Sequence, residues 1–137
     1  MKVEDVNIED DYIVVKPSDT IVVVSKKIAE AAIPDAIVVN DDNEVLGALD
    51  VYDIISKVIA PEKDLKSTTA EDIMYAPPPV RLATELSVVE KIMGDLEVSV
   101  LPVSDKNNTL LGVITMMDVM EGLALANRSI IDRILGR

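Results

Sequence analysis

Short apolar runs broken by polar turns make up most of the chain, and the spacing within them alternates between that of strands and that of helices. After an acidic, loosely held lead-in over residues 1–11, residues 12–16 read as a strand. Pro17-Ser18-Asp19-Thr20 is a turn and helix-start signal. Ile21, Val24 and Ile28 then recur at helical spacing and predict a helix over 21–32, ended by Pro34. The β-branched run at 21–24 leaves a strand open for its first turn. Residues 36–40 read as a strand, Asp41-Asp42-Asn43-Glu44 as a hairpin turn, 45–49 as the return strand, and 51–59 as a helix stopped by Pro61.

A charged and polar linker over 61–70 and a helical turn at 70–74 follow. Pro77-Pro78-Pro79 then forces an extended chain, since each ring fixes φ and removes a donor. The order of elements repeats: a strand at 80–82, a helix at 85–96, a strand at 98–104, a turn at 105–108, a strand at 110–114 and a helix at 116–126. A separate short helix is expected over 127–135, with Ile130, Ile131, Ile134 and Leu135 as its apolar face.

The repeat is visible residue by residue. At a constant offset of 65, Val23, Val24, Lys26, Val38, Asn43, Leu46, Gly47 and Asp53 meet identical residues in the second half. The strand–helix–strand–strand–helix unit occurs twice, as a first unit at 12–60 and a second at 71–126, with residues 127–137 as a C-terminal helix. A lone three-stranded sheet leaves one face open, so the two units are expected to pack on each other in an α/β (α+β) fold.

Composition narrows the chemistry. The 137 residues suffice for one compact domain with a core. A net charge of −12 argues against nucleic acid and against an anionic membrane surface. No apolar run is long enough to span a bilayer and the acidic N-terminus is no signal peptide, so a cytoplasmic location is the default. With no Cys and no His, disulfides, thiolate nucleophiles, Cys/His zinc sites and imidazole catalysis are excluded. Asp50 and Asp53 are a carboxylate pair, but no base, metal-ligand set or nucleophile elbow accompanies them, so an enzyme is not expected. With three Tyr and neither Phe nor Trp, stacking on aromatic rings is not expected to dominate ligand binding.

The most informative stretch is Leu110-Leu-Gly-Val-Ile-Thr-Met-Met-Asp-Val119 and its partner Val45-Leu-Gly-Ala-Leu-Asp-Val-Tyr-Asp-Ile54. Each runs from an apolar strand into a helix start, with Thr115 or Asp50 at the N-cap and Asp118 or Asp53 three residues on. Two such units, together with Ile73-Met74 and Pro102-Val-Ser-Asp105, resemble a tandem pair of CBS domains, a Bateman module, over residues 10–124. The resemblance implies two βαββα units with pseudo-twofold symmetry, packed sheet to sheet with helices outside. It also implies a homodimer through the helices, and a regulatory module that binds AMP, ADP, ATP or S-adenosylmethionine in clefts between its units.

Carried over residue by residue, the resemblance implies a first site at Thr115 and Asp118, walled by Val113 and Ile114. These would face Ile13, Val14 and Val15 of one strand and Pro34, Ala36 and Ile37 of another, with Lys16 as countercharge to a phosphate. A carboxylate accepting from two vicinal hydroxyls suits a ribose, and a helix N-terminus suits a phosphate. A second, weaker site would combine Asp50 and Asp53 with Val80, Arg81, Val98, Ser99, Val100 and Leu101. There Asp50 replaces the hydroxyl with a carboxylate, which opposes a phosphate and leaves room for an uncharged or cationic adenosyl ligand such as S-adenosylmethionine.

Plainer readings stand beside these. Thr115/Asp118 and Asp50/Asp53 also suit helix caps, Gly47 and Gly112 suit relief of crowding in strands, and Asp41-Asp42-Asn43-Glu44 suits a solvated turn better than a calcium loop. The clefts would then be vestigial and the chain a structural dimerisation module. Met116, Met117, Val119, Met120, Leu123, Ala124 and Leu125 surround much of one helix, which favours burial on more than one side and a dimer. The chain ends a dozen residues after the second unit, so regulation is expected to act on a protein partner in trans.

Overall fold

The computed structural model describes residues 1–136 and folds them as a mixed α and β protein with two small sheets. The first unit comprises β1 (Ile13–Val15), α1 (Ile21–Ala31), β2 (Asp35–Val39), β3 (Val45–Asp50) and α2 (Val51–Ile54), which runs on as one π-helical turn at Ile55–Ile59. Strand β1 pairs parallel to β2, and β2 pairs antiparallel to β3. A short α3 (Ala70–Ile73) precedes the second unit of α4 (Leu86–Leu96), β4 (Val100–Ser104), β5 (Leu110–Thr115) and α5 (Met116–Leu135). The predicted helix over 21–32 is observed, and Thr20 caps it by accepting from the Val23 N–H at 3.4 Å.

The two halves obey one set of local rules. Asn43 and Asn108 both adopt φ near +60° in their hairpin turns, where Asn is among the best-tolerated side chains. The hairpin tips meet symmetrically: Val45 N–H donates to the Asn108 carbonyl at 2.9 Å and Leu110 N–H to the Asn43 carbonyl at 3.1 Å. Each unit has its own core, one around Val15, Ile21, Val24 and Leu49, the other around Leu86, Val89, Met93 and Ile114. A third cluster joins Ile37, Val39 and Ala48 to Val100, Leu110 and Val113, and this is where the sheets face each other.

Three expectations are corrected. Residues 80–82 form no strand, so the second sheet has two strands. At the repeat offset the β1–β2 ladder would fall on Pro78, Pro79 and Val80 against Leu101, Pro102 and Val103, and the prolines have no N–H to donate. One bond survives, from Ser104 N–H to the Val80 carbonyl at 3.0 Å. Residues 116–135 form one continuous helix, since nothing at 126–127 breaks it. The N-terminal segment is firmly held: Val3 is fully buried in the second unit's core, in a 3-10 turn at Val3–Asp5.

That segment repeats residues 69–75 at an offset of 67, with Glu4/Glu71 and Asp5/Asp72 identical. The two copies make equivalent bonds to opposite units. Val3 N–H donates to the Thr84 carbonyl and Leu86 N–H to the Met1 carbonyl, as Ala70 N–H donates to Asp19 and Ile21 N–H to Thr68. Each unit is therefore closed by the segment that leads into the other.

The central glycines of the repeated strands sit under these segments. A Cβ on Gly47 would lie 2.6 Å from the Tyr75 carbonyl oxygen, and one on Gly112 would lie 2.7 Å from that of Ile8. Crowding relief is thus a measurable role for both.

Candidate functional site

At the start of α5 the Thr115 and Asp118 side chains form a reciprocal capping box. Asp118 Oδ2 accepts from Thr115 N–H at 2.9 Å, and Thr115 Oγ1 accepts from Asp118 N–H at 3.2 Å. At the start of α2 the same box is made by two carboxylates: Asp53 Oδ2 accepts from Asp50 N–H and Asp50 Oδ1 from Asp53 N–H, both at 2.9 Å. The cap reading therefore holds at both places, and each box leaves carboxylate capacity over for a ligand.

What surrounds the boxes differs. Asp53 is 9 % exposed, and its Oδ1 lies 3.0 Å from the Lys57 ammonium, which also donates to the Ile73 carbonyl at 2.9 Å. Asp50, Tyr52, Asp53, Lys57 and Tyr75 together with Leu96, Glu97 and Val98 of the second unit line a cavity of about 190 Å³. Tyr75 is anchored across the units by donating its hydroxyl to the Val100 carbonyl at 2.8 Å. Burial, then the negative charges of Asp35, Asp50 and Asp53, push its phenol above the ordinary range, so it stays a donor. Burial raises the carboxyls of Asp50 and of Asp35, its cross-strand partner. The local charge is clearly negative.

At Asp118 no lysine stands four residues on. Position 122 is Gly, and the Val6 and Leu86 side chains close over it. The Asp10 carboxyl instead makes a hydrogen bond to Asp118, and this contact, followed by burial and the charges of Asp118, Asp11 and Glu121, raises its pKa. Two residues on, Tyr12 packs into the cluster holding Ile37, so the chain runs from the Asp118 carboxylate directly into the inter-unit core and β1.

The other residues singled out in the sequence are placed as follows. Val113 and Ile37 are buried between the sheets, Ile114 and Ala36 in the cores of their own units. Ile13 packs on the first core, whereas Val14 and Pro34 are exposed. Lys16 is held by the Asn40 carbonyl at 2.9 Å and lies 3.7 Å from Asp41, at the end of β1 remote from Pro34. Val80 and Leu101 are in the second core, Ser99 is exposed, and Val100 receives the Tyr75 hydroxyl. Arg81 is bonded to Ser104 and lines a different cavity from that of Asp50 and Asp53.

The sequence reading missed Asp10, Lys57, Tyr52 and Tyr75. The i, i+4 spacing of Asp53 and Lys57 was the available signal for one of them, and the offset-67 repeat for Tyr75. Asp10 lies where the first half has two more residues than the second, between the Ile8/Tyr75 and Val15/Val80 matches, and has no counterpart.

The two capping boxes occupy equivalent positions of a duplicated unit. The CBS domain family matches residues 3–60 and 70–125. The chain belongs to this family and carries two copies of its domain. An uncharacterised protein of Methanopyrus kandleri is 31% identical over 113 residues, 81% of this chain and 57% of that one. The magnesium transporter MgtE of Thermus thermophilus is 29% identical over 82% of this chain and 25% of its own length. The chain thus spans little more than half of one relative and a quarter of the other.

Among solved structures, a CBS domain-containing protein of Thermotoga maritima superposes with a TM-score of 0.73 at 26% identity, covering 90% of this chain and 94% of that one. The cytosolic domain of the Mg2+ channel MgtE in complex with ATP gives 0.67 at 28%, covering 85% and 46%. The CBS domain pair of protein MJ0100, in complex with 5′-methylthioadenosine and S-adenosyl-L-methionine, gives 0.72 at 21%, covering 90% and 99%; this last likeness concerns the fold alone.

Proposed function

We propose that this CBS pair is a regulatory module that binds an adenosine-containing ligand between its units and biases the state of a protein partner. The observation that carries the reading is the duplicated carboxylate, Asp53 and Asp118. Each is fixed by a capping box at a strand-to-helix turn and retains acceptor capacity suited to a ribose diol, and at Asp53 that turn borders a cavity walled by both units. The MgtE cytosolic domain, related over most of this chain, is a CBS protein that holds ATP.

AMP, ADP or ATP is the ligand for the Thr115–Asp118 cleft. Thr115 heads a helix of 20 residues, whose dipole favours a phosphate. Asp10 must withdraw from Asp118 for the ribose to enter, so the segment carrying it moves when ligand binds. A second reading applies to the Asp50–Asp53 cavity. Its unbalanced carboxylates and its two tyrosines favour an uncharged or cationic adenosyl group, such as that of S-adenosylmethionine, over a phosphate.

The active unit in this reading is a homodimer. Val23 and Val88, Tyr52 and Met117, and Ile55 and Met120 are exposed apolar pairs at equivalent positions of the two halves. A face that carries its own pseudo-twofold pattern is complementary to a second copy.

Thermal unfolding with and without AMP, ATP and S-adenosylmethionine tests the proposal. A ligand present at 100 times its Kd stabilises the fold by about 2.7 kcal/mol. An unshifted transition with every ligand, at concentrations up to about 10 mM, would leave the clefts as helix caps in a structural dimerisation module.

A further inference from the structure

The hairpin end of the second unit, at the opposite end of β5 from Thr115, carries an open cavity of about 470 Å³. Arg81, Leu82, Ala83, Ser104, Lys106 and Leu111 supply most of its wall. Volumes of this order accept small organic ligands. Neither aspartate of the two clefts lines it, so it is a separate place in the fold.

Two cations face this cavity in a chain of net charge −12. Among the described residues, none of the ion pairs involves Arg81 or Lys106. The Arg81 guanidinium is half-buried and is oriented by donating to the hydroxyl of Ser104, which is itself 3 % exposed. The rest of its donor fork remains available, in a fixed plane. Leu82 and Leu111 stay 39% and 43% exposed beside it, an apolar wall next to a positive charge.

The first unit shows what the same place looks like when it is closed. The counterpart of Arg81 is Lys16, and that of Lys106 is Asp41. There the cation is taken up internally, by the Asn40 carbonyl at 2.9 Å and by Asp41 at 3.7 Å. Reversal of charge at one repeat position therefore replaces an ion pair with two cations that make no ion pair among the described residues.

Two carboxylates also belong to the wall, and they limit the charge that fits. Asp105 is occupied in the turn, where its Oδ1 accepts from the N–H groups of Asn107 and Thr109. Glu4 stands free at the rim. Together they repel a multiply charged anion such as a phosphate, while one carboxylate matches the guanidinium fork.

We propose that this cavity binds a small monocarboxylate with an apolar body, its carboxylate on Arg81 and Lys106 and its hydrocarbon part on Leu82, Ala83 and Leu111. The module then receives a second chemical input at a place separate from the two capping boxes, with Leu111 on the same strand as Thr115.

The test is titration of the full chain with hexanoate, followed by amide-resolved NMR, with hexanol and inorganic phosphate as comparison probes. Saturable shifts confined to residues 81–83 and 104–111 are expected, with no shift at Asp53 or Asp118. Hexanol and phosphate should each bind about tenfold more weakly or worse. Arg81→Gln should weaken hexanoate by about tenfold, and Lys106→Gln, on the exposed turn where the fold is not at stake, by about threefold or more. Equal binding of hexanol, shifts centred on the C-terminal helix, absence of saturation, or an unchanged affinity in Lys106→Gln would each overturn the proposal.

Discussion

The surroundings of Asp53 and Asp118 are built from the same box on the same strand-to-helix turn, yet they present different chemistry. At Asp53 the partner carboxylate Asp50 is part of the cap, a lysine neutralises one oxygen, and two tyrosines wall a formed cavity. At Asp118 the cap is a hydroxyl, the lysine position is a glycine, and a carboxyl from the lead-in fills the approach. A repeat thus fixes backbone geometry strictly and leaves the electrostatics of each copy free to diverge. What the copies share is what folding requires; where they part is in the charge placed beside each carboxylate.

The shared device carries the largest expected effect. Ala at Gly47 or Gly112 drives a Cβ against a backbone carbonyl that no rotamer change can move. Urea denaturation should show a loss of about 2–3 kcal/mol at each. Gly47→Ala should be the worse, because Ala48 and Tyr75 exchange two backbone hydrogen bonds beside it, at 2.9 and 2.8 Å. Loss-free accommodation of Ala at either position would break the claim that the exchanged segments close over both glycines.

Next come the boxes themselves. Asp53→Ala removes a cap and strands Lys57, and should cost about 1–2 kcal/mol in the same assay. Asp118→Ala removes a cap only and should cost about 1 kcal/mol. Asp50→Thr keeps a capping side chain and makes the first box like the second. Its stability should change by less than about 0.5 kcal/mol, while AMP affinity at that cleft should rise by about tenfold as one negative charge leaves. An unchanged affinity by calorimetry would show that Asp50 does not set the choice of ligand.

The smallest effect is a pH dependence. The contact with Asp118 raises the Asp10 pKa above the ordinary 3.8, so the folded state prefers the protonated form. This contribution is fully present below 3.8 and is lost as pH rises through the raised value. Asp10→Asn should therefore raise Tm at neutral pH and give no gain at the acidic end of the fold's range. The same variant should bind AMP more tightly, since the neutral amide no longer opposes a phosphate. A gain in Tm that is constant with pH would remove Asp10 from the cleft.

Most of the architecture was legible because apolar patterning reports burial directly: Ile21, Val24 and Ile28 lie inward as their helical spacing required, and the continuous apolar runs of β2 and β3 are buried on both faces, between the first core and the facing sheet. The Thr115–Asp118 spacing likewise announced its cap. The missing strand at 80–82 was harder, because Val80-Arg81-Leu82 alternates like a strand until the preceding prolines are set against their ladder partners. The lead-in was misread as loose because its composition is acidic, whereas its anchor is one buried residue, Val3. Asp10 and Tyr75 reached the clefts only through tertiary contacts between halves, which no local window reports.

The central claim is that Asp118 holds the ribose of a bound nucleotide. Calorimetric titration of ATP and AMP into the wild-type chain, Asp118→Asn and Asp53→Asn tests it most directly, since Asn retains the cap acceptor but not the charge. The account predicts saturable binding near one ligand per chain, retained in Asp53→Asn and weakened by about tenfold or more in Asp118→Asn. Nucleotide binding that is indifferent to Asp118, or absent from the folded wild-type protein, would contradict it.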